Sequence, residues 1–509
     1  MALSPMTDSD PPSASGNPGS GTDAPPPRLA ARAAGSSVWS LAGQVFQVLL
    51  GLASFGLLTR WLTPADFGVL GMAATVSGFL GVIGDSGMTS AVMGLPKIDA
   101  SAEATAFWLS VIGGAILTLI AAAAAPILAW FYQNHSITWV SVALASTFFL
   151  AAPMRVPTAK LYRALRFRDL TVINIVANTV SVALAVVLAI RGFGVWALVA
   201  QGLATFVVQT VMTVAAAPPQ VKLHLWSRSH ARALGKVGSR LSGFSLAVTI
   251  SRALDSVLAG RFLGSSALGF MGMGMKLAYT PVERLSSAMY NVFLPATVEL
   301  GEDGRQGRAF KSVVRLILIV VAPFSLGTVA IAPEIIALLP PRWLGLTPVL
   351  RLYALTSLFS PVSYLAMSVL IAHGRASALL RAAIALIPVC WAAAIFGALS
   401  GSVVGMTAAW CLSVMAGGVL FVWLVRHRMA LGADFWIAIA VPLAVATLMA
   451  LSVRLVLSLL GLSGTRLGVL VGGLVGAGVY GALAWLTMRG DLIRVMQLLR
   501  ESMRRRRRT

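Results

Sequence analysis

Arg60-Trp61-Leu62-Thr63-Pro64-Ala65-Asp66-Phe67-Gly68-Val69-Leu70-Gly71-Met72 closes one apolar run and opens the next. At an offset of 201 residues, Arg261-Phe262-Leu263-Gly264-Ser265-Ser266-Ala267-Leu268-Gly269-Phe270-Met271-Gly272-Met273 does the same. Five of the thirteen positions are identical without a gap: the Arg, the Leu, two Gly and the Met. Trp61 opposite Phe262 adds an aromatic match. Both stretches join apolar runs in the same orientation, so an even number of crossings separates them and the two halves are parallel repeats. Such repeats, related by an axis along the membrane normal, are a transporter device with the substrate held between the halves.

Around this pair the composition leaves one broad class. The chain has 509 residues, of which 58% are hydrophobic and only 11% charged, against about 25% charged in a soluble domain. Apolar runs of about 20 residues recur, each sufficient to cross a bilayer core of about 30 Å. They read as spans at 37–58, 67–85, 104–126, 136–153, 170–190, 194–216, 241–260, 267–294, 313–333, 347–371, 377–398, 402–424, 435–457 and 466–487. The expected fold is therefore an all-α integral membrane protein of about fourteen transmembrane helices, two parallel six-helix lobes followed by two extra helices. The expected divisions are a disordered Pro-rich tail at 1–36, an N-lobe at 37–217 and a basic cytoplasmic linker at 218–240. A C-lobe at 241–425, spans 13 and 14 within 426–488 and an Arg-rich tail at 489–509 complete the chain.

Charge placement supports this count. The net charge is +22, and with the N-terminus inside, 29 of the 39 Lys and Arg fall on the cytoplasmic side, counting Arg315 and Arg381 at span ends, and six on the external side, counting Arg454 and Arg466 at span ends. An extra or missing span would invert every later loop and erase the bias, so both termini are expected in the cytoplasm. Basic loops beside spans point to anionic lipid headgroups, not to nucleic acid. The first 27 residues lack the basic start and apolar centre of a signal peptide. Two Cys and five scattered His offer neither a disulfide framework nor metal-ligand spacing, so no metal is expected. A GxxxxGK[ST] phosphate loop is also missing, which argues against direct ATP hydrolysis; no cofactor is expected.

The short motifs carry a resemblance. Leu62-Thr63-Pro64-Ala65-Asp66-Phe67-Gly68 and Gly84-Asp85-Ser86-Gly87-Met88 in the first half are joined by Ser251-Arg252-Ala253-Leu254-Asp255, Lys276-Leu277, Pro281 and Phe293-Leu294-Pro295 in the second. Pro333-Glu334-Ile335-Ile336, Trp343 and Leu350-Arg351-Leu352 follow. From about residue 35 to 430 this ordered set resembles the Wzx-type polysaccharide flippases of the multidrug/oligosaccharidyl-lipid/polysaccharide (MOP) exporter superfamily. The acidic Pro-rich head and the tail Arg504 to Arg508 depart from the pattern. The resemblance implies a MATE-like V of two lobes that alternate access. It also implies a cargo of undecaprenyl-pyrophosphate-linked oligosaccharide, moved from the cytoplasmic to the outer leaflet of the bacterial inner membrane for exopolysaccharide, capsule or O-antigen synthesis. Polysaccharide polymerase and chain-length or export proteins are its implied partners.

Against that cargo, four cations inside spans stand out: Arg252, Lys276, Arg284 and Arg351. A charge in the bilayer interior is costly, and such residues usually line a wet pathway. Arg252 lies roughly 16 Å into span 7 at about 1.5 Å per residue, and Lys276 lies at comparable depth in span 8. Arg252, Lys276 and Arg284 are the expected pyrophosphate contacts, since guanidinium and ammonium groups match phosphate oxygens. The competing reading pairs Arg252 with Asp255 and Arg284 with Glu283 as local ion pairs. Arg351 reads as a cation reaching the interface. Asp255, Glu283 and Asp85 are the acids that can couple an ion, with salt bridging or helix capping as the plainer reading. Gln44, Gln47, Asn174, Asn178, Gln201 and Gln209 are sugar-contact candidates, or amides bonding between helices.

Two other functions fit less well. A drug or organic-cation antiporter of the same superfamily calls for acidic cavity residues, and spans 1 to 6 hold only Asp85. A membrane polymerase or ligase calls for a large external loop, and the longest here is about a dozen residues near 334–346. Transport without enzymatic chemistry is the expectation.

Overall fold

The computed structural model describes residues 43–44, 46–93, 99–232, 254–287, 305–373, 376–426 and 432–507. The Pro-rich head and Arg252 lie outside these residues, and the side chains of Asp85 and of the tail beyond residue 490 are likewise not described.

Every described element is helical, as a bilayer demands: with no water to satisfy them, backbone groups must bond within the segment. The helices are α1 (Phe46–Leu58), α2 (Pro64–Met93), α3 (Ala100–Tyr132), α4 (Ser136–Ala151), α5 (Arg155–Arg163), α6 (Phe167–Ile190) and α7 (Val195–Ala216). In the second half come α8 (Gly264–Gly274), α9 (Arg305–Ala330), α10 (Ala332–Ala337), α11 (Leu346–Ser357), α12 (Ser360–Ala372), α13 (Ala376–Leu399) and α14 (Val403–Val425). Two more follow, α15 (Ala433–Leu459) and α16 (Arg466–Arg507). Among the described residues, nine helical stretches are long and apolar enough to cross a bilayer.

Local chemistry sets the ends. Asp99 caps α3 by accepting from the Ala102 N–H at 2.7 Å, and Ser402 caps α14 by accepting from Gly405 at 2.9 Å. The α6–α7 turn uses Gly192 and Gly194, with φ of 82° and 53°, where a side chain would be strained.

Consecutive helices pack as antiparallel neighbours: α3 on α4, α6 on α7, α13 on α14 and α15 on α16. Helices α3 to α7 pack mainly within the first half and α11 to α14 within the second, α2 and α8 pack most extensively on each other across the halves, and α15 lies along α9. Small side chains such as Ala104, Ala106, Ala145, Ala177 and Ala185 are buried, which lets the backbones approach. Large apolar ones such as Leu119, Ile127, Trp130 and Trp139 are exposed. An outward apolar face is the expected surface toward lipid, where hydrophobic burial between helices brings no gain.

Several boundaries differ from the hydropathy reading. The stretch after span 4, read as a loop bearing Arg155, Lys160 and Arg163, is helical: α4 passes through a single 3₁₀ turn at Ala152–Met154 into α5. Pro153 sits in that turn, where its missing N–H costs little. Span 10 is two helices, because Pro361 cannot donate into the preceding turn and the chain restarts at Ser360. The last span runs on to Arg507 past a kink at Met488 (φ −131°, ψ 23°).

Candidate functional site

The segment 254–287 positions the expected cations. It contains two wide π-helical turns, Ala259–Leu263 and Met275–Tyr279, on either side of α8. Single π turns in α-helices recur at functional sites because the extra residue rotates the following face. Lys276 lies in the second of them.

Glycine contacts trace the path of α8 against α2. A Cβ on Gly68 would collide with the backbone of Ser265, and one on Gly269 with the carbonyl of Pro64. At Gly71 a Cβ would meet Leu268 at 3.2 Å. Further along, nothing lies within 4 Å of a Cβ on Gly78 or Gly272. The backbone-to-backbone contacts of the two helices thus lie in their first turns.

Past the crossing, Gly272, Lys276, Thr280, Glu283, Arg284 and Ser287 succeed one another at helical spacing on 254–287. Gly272, Lys276 and Arg284 are exposed, and Thr280, Glu283 and Ser287 are half-buried. A polar, open face flanked by the buried Met273, Ala278, Tyr279 and Val282 is the pattern of a wet cleft and not of a lipid-facing surface. Twelve residues separate Gly264 from Lys276, which at about 1.5 Å each places the Lys276 backbone roughly 18 Å along the segment from that end. Among the described residues Lys276 has no hydrogen-bond or ion-pair partner.

The other expected site residues fall out as follows. Glu283 accepts a hydrogen bond from the Tyr364 hydroxyl on α12 at 2.9 Å. Among the described residues Arg284 makes no ion pair with it; ion pairs such as Lys160–Glu103, Lys311–Asp434 and Arg454–Glu334 lie elsewhere. Asp255 is half-buried at the start of the described segment, and Arg252, its expected partner, is not described. Arg351 is half-buried and donates from Nε to the Val329 carbonyl at 3.3 Å, in the last turn of α9, where a cation is favoured by the helix dipole. Asn174 accepts from Gln209 Nε2 at 2.9 Å, joining α6 to α7, and Asn178 donates to the Asn174 carbonyl at 2.7 Å. Gln44 is exposed; Gln47 and Gln201 are half-buried. Among the described residues no three His, Cys, Asp or Glu side chains gather to hold a metal ion.

Sequence reasoning did not find three features. Tyr364 as the partner of Glu283 has no local signal, since 81 residues separate them. The π turns have none either. Glu334, noted only within a motif, is fully buried and accepts from Arg454 Nη1 and from the Gly464 N–H, both at 3.0 Å, tying α10 to the α15–α16 hairpin. A carboxylate in an apolar external segment, with Arg454 as one of few external cations, was the available hint.

The fold has close counterparts. A lipid II flippase, MurJ, in an inward closed conformation superposes with a TM-score of 0.69, at 14% identity, over 90% of this chain and 99% of its own. An inward-facing multidrug resistance MATE family transporter of the MOP superfamily superposes with a TM-score of 0.56, at 16% identity, over 76% of this chain and 96% of its own. In sequence, the succinoglycan biosynthesis transport protein ExoT of Rhizobium meliloti (strain 1021) is 26% identical over 470 residues, 91% of this chain and 94% of that protein. The teichuronic acid biosynthesis protein TuaB of Bacillus subtilis (strain 168) is 22% identical over 66% of this chain and 71% of that protein. The family model described as "Polysaccharide biosynthesis protein" matches residues 57–348, more than half of the chain and the stretch holding both repeat motifs. This bears out the resemblance read from the short motifs: the chain is an all-α, multi-pass membrane protein that belongs to the polysaccharide biosynthesis protein family.

Proposed function

We propose that this protein flips an undecaprenyl-pyrophosphate-linked oligosaccharide from the cytoplasmic to the outer leaflet of the bacterial inner membrane, for assembly of a cell-surface polysaccharide. The single observation that carries the reading is Lys276, exposed on a polar helix face within expected span 8, on the far side of the α2–α8 crossing. A cation without a partner among the described residues costs several kcal/mol there by insertion scales, and an anionic cargo that must pass the same depth gives it one. The open part of the cleft faces the cytoplasm in this reading, because the opposite end of the bundle carries Lys160, Arg163, Arg166, Arg168 and Lys222 and the closed end carries few cations. Arg252 and Arg284 complete the cationic path, and Asp255, Glu283 and Asp85 are the acids available for ion coupling. Fourteen spans, two six-helix lobes followed by two extra helices with both termini cytoplasmic, is the matching topology. Anionic lipid headgroups and the polymerase and export machinery are the matching partners.

Three findings support the reading. The family is one of polysaccharide biosynthesis, a relative covering nearly the whole chain is a succinoglycan biosynthesis transport protein, and the fold is similar to that of a lipid II flippase. The test is complementation of export in a strain lacking this protein. Lys276→Ala and Arg252→Ala are expected to abolish surface polymer at unchanged protein level, with Lys276→Arg retaining part of it. Full export from both alanine variants would remove the cationic site. Extrusion of organic cations in place of polymer would install the antiporter reading instead.

A further inference from the structure

The α2–α8 crossing has an internal symmetry. Gly68 sits on Ser265 and Gly269 sits on Pro64. Adding the repeat offset of 201 to 68 gives 269, and subtracting it from 265 gives 64. Each contact is therefore the image of the other, and each is backbone against backbone, with no flexible side chain to yield.

The flanks follow the same exchange. On one side the α3–α4 end reaches the other half: a Cβ on Gly260 would meet the Tyr132 ring at 2.8 Å and Met72 at 3.4 Å. On the other side the segment between α10 and α11 reaches α1. There Arg342 Nη2 donates to the carbonyls of Thr59 (2.9 Å) and Arg60 (2.6 Å), the free C-terminal carbonyls of that helix. Next to it Trp343 is fully buried, edge-on to Phe55, Phe67 and Phe270 at centroid distances of 5.3, 5.5 and 6.0 Å. Among the described residues its indole N–H has no acceptor. A buried donor without a partner penalises the state that buries it, and it is released when the contact opens to water. The apolar cluster at the crossing mixes both halves: Val69, Met72, Tyr132 and Val199 with Ala259, Leu268 and Met271.

We propose that the Gly68/Gly269 crossing is the outer closure of the cleft, a two-fold backbone seat that opens as one unit, with the Arg342 guanidinium as its catch on α1. This rests on the alternating-access reading above, but closure itself is readable without any cargo. A methyl group at either glycine has nowhere to go except to push α2 and α8 apart, so one substitution suffices. Arg342→Ala removes the catch and adds no atoms.

The test uses the full chain with Cys390 and Cys411 replaced by alanine and a reporter Val69→Cys, a substitution of similar volume at a buried position. Labelling with a membrane-impermeant maleimide is followed on intact cells and on inside-out vesicles. The parent is expected to label slowly from outside. Gly68→Ala and Gly269→Ala are each expected to label about tenfold faster from outside, a tenfold shift in the open-to-closed ratio. Gly473→Ala, at a position with nothing within 4 Å, is expected to match the parent. Parent-rate labelling in both variants at equal protein level, or acceleration only in inside-out vesicles, overturns the proposal. If a glycine variant is degraded, Arg342→Ala decides: faster labelling from outside supports the closure, and the parent rate overturns it. A flippase reading that failed in the export assay would leave these outcomes unchanged.

Discussion

Glu334 ties the last two helices to α10, and removing either side of its ion pair should cost unequal amounts. The carboxylate is fully buried, with Arg454 Nη1 and the Gly464 N–H both on Oε1 at 3.0 Å and, among the described residues, no partner on Oε2. Arg454 is itself 39% exposed and also donates to the Ala330 carbonyl at 3.2 Å. Arg454→Ala strands a buried negative charge with one backbone donor. Breaking a fully buried pair costs about 3–5 kcal/mol, and the partial exposure of Arg454 brings this to about 2–3 kcal/mol. Glu334→Gln keeps an oxygen for the Gly464 N–H and leaves Arg454 a route to water and to Ala330. It loses only the charge assistance of its hydrogen bonds, about 1 kcal/mol. The double variant has no buried charge and should be more stable than Arg454→Ala alone. The assay is thermal unfolding of purified protein in lipid nanodiscs for the parent, both single variants and the double. Equal losses from the two single substitutions, or simple additivity in the double, would refute the electrostatic node.

Three further outcomes follow from the same geometry. Gln209→Ala breaks the amide pair with Asn174 between α6 and α7; about 0.6 kcal/mol of stability is expected to be lost, with export retained, measured by unfolding and by surface polymer. Glu103→Ala removes the acceptor shared by Lys160 Nζ (2.8 Å) and the Gln220 N–H (3.1 Å), which together with the Trp108 to Val221 bond hold the segment after α7 against α3. Trypsin on inside-out vesicles is expected to cut after Lys222 or Arg228 faster in that variant; an unchanged rate would count against the strap. Tyr364→Phe leaves Glu283 without its 2.9 Å donor, and a several-fold fall in export at normal protein level is expected, whereas unchanged export would take Glu283 out of the working face.

Much of the architecture was legible because a bilayer imposes one rule on every segment. The apolar runs located the helices, and the motif pair at Gly68 and Gly269 was visible as a repeat. What could not be read was that these two glycines meet partners in each other's segments: a sequence offset says that two pieces are alike, not that they touch. Hydropathy windows see only apolar centres, so α5 was missed behind Arg155 and Arg163, and α3 extends to Tyr132 beyond the expected 126. Lys276 was legible because a lone cation in an apolar run is conspicuous in any environment. The amides were not, because whether Asn174 faces a cleft or Gln209 depends on helix rotation, which polar residues spaced three or four apart do not fix.

The most direct measurement is binding of undecaprenyl diphosphate and undecaprenyl monophosphate to the purified protein in nanodiscs of neutral lipid, for the parent, Lys276→Ala and Lys276→Arg. A charge-assisted contact is worth about 1.5–3 kcal/mol, so the diphosphate affinity is expected to fall by about tenfold or more in Lys276→Ala, with a smaller change for the monophosphate and partial recovery in Lys276→Arg. Equal diphosphate affinity in all three proteins would contradict a cationic cleft built to receive that headgroup.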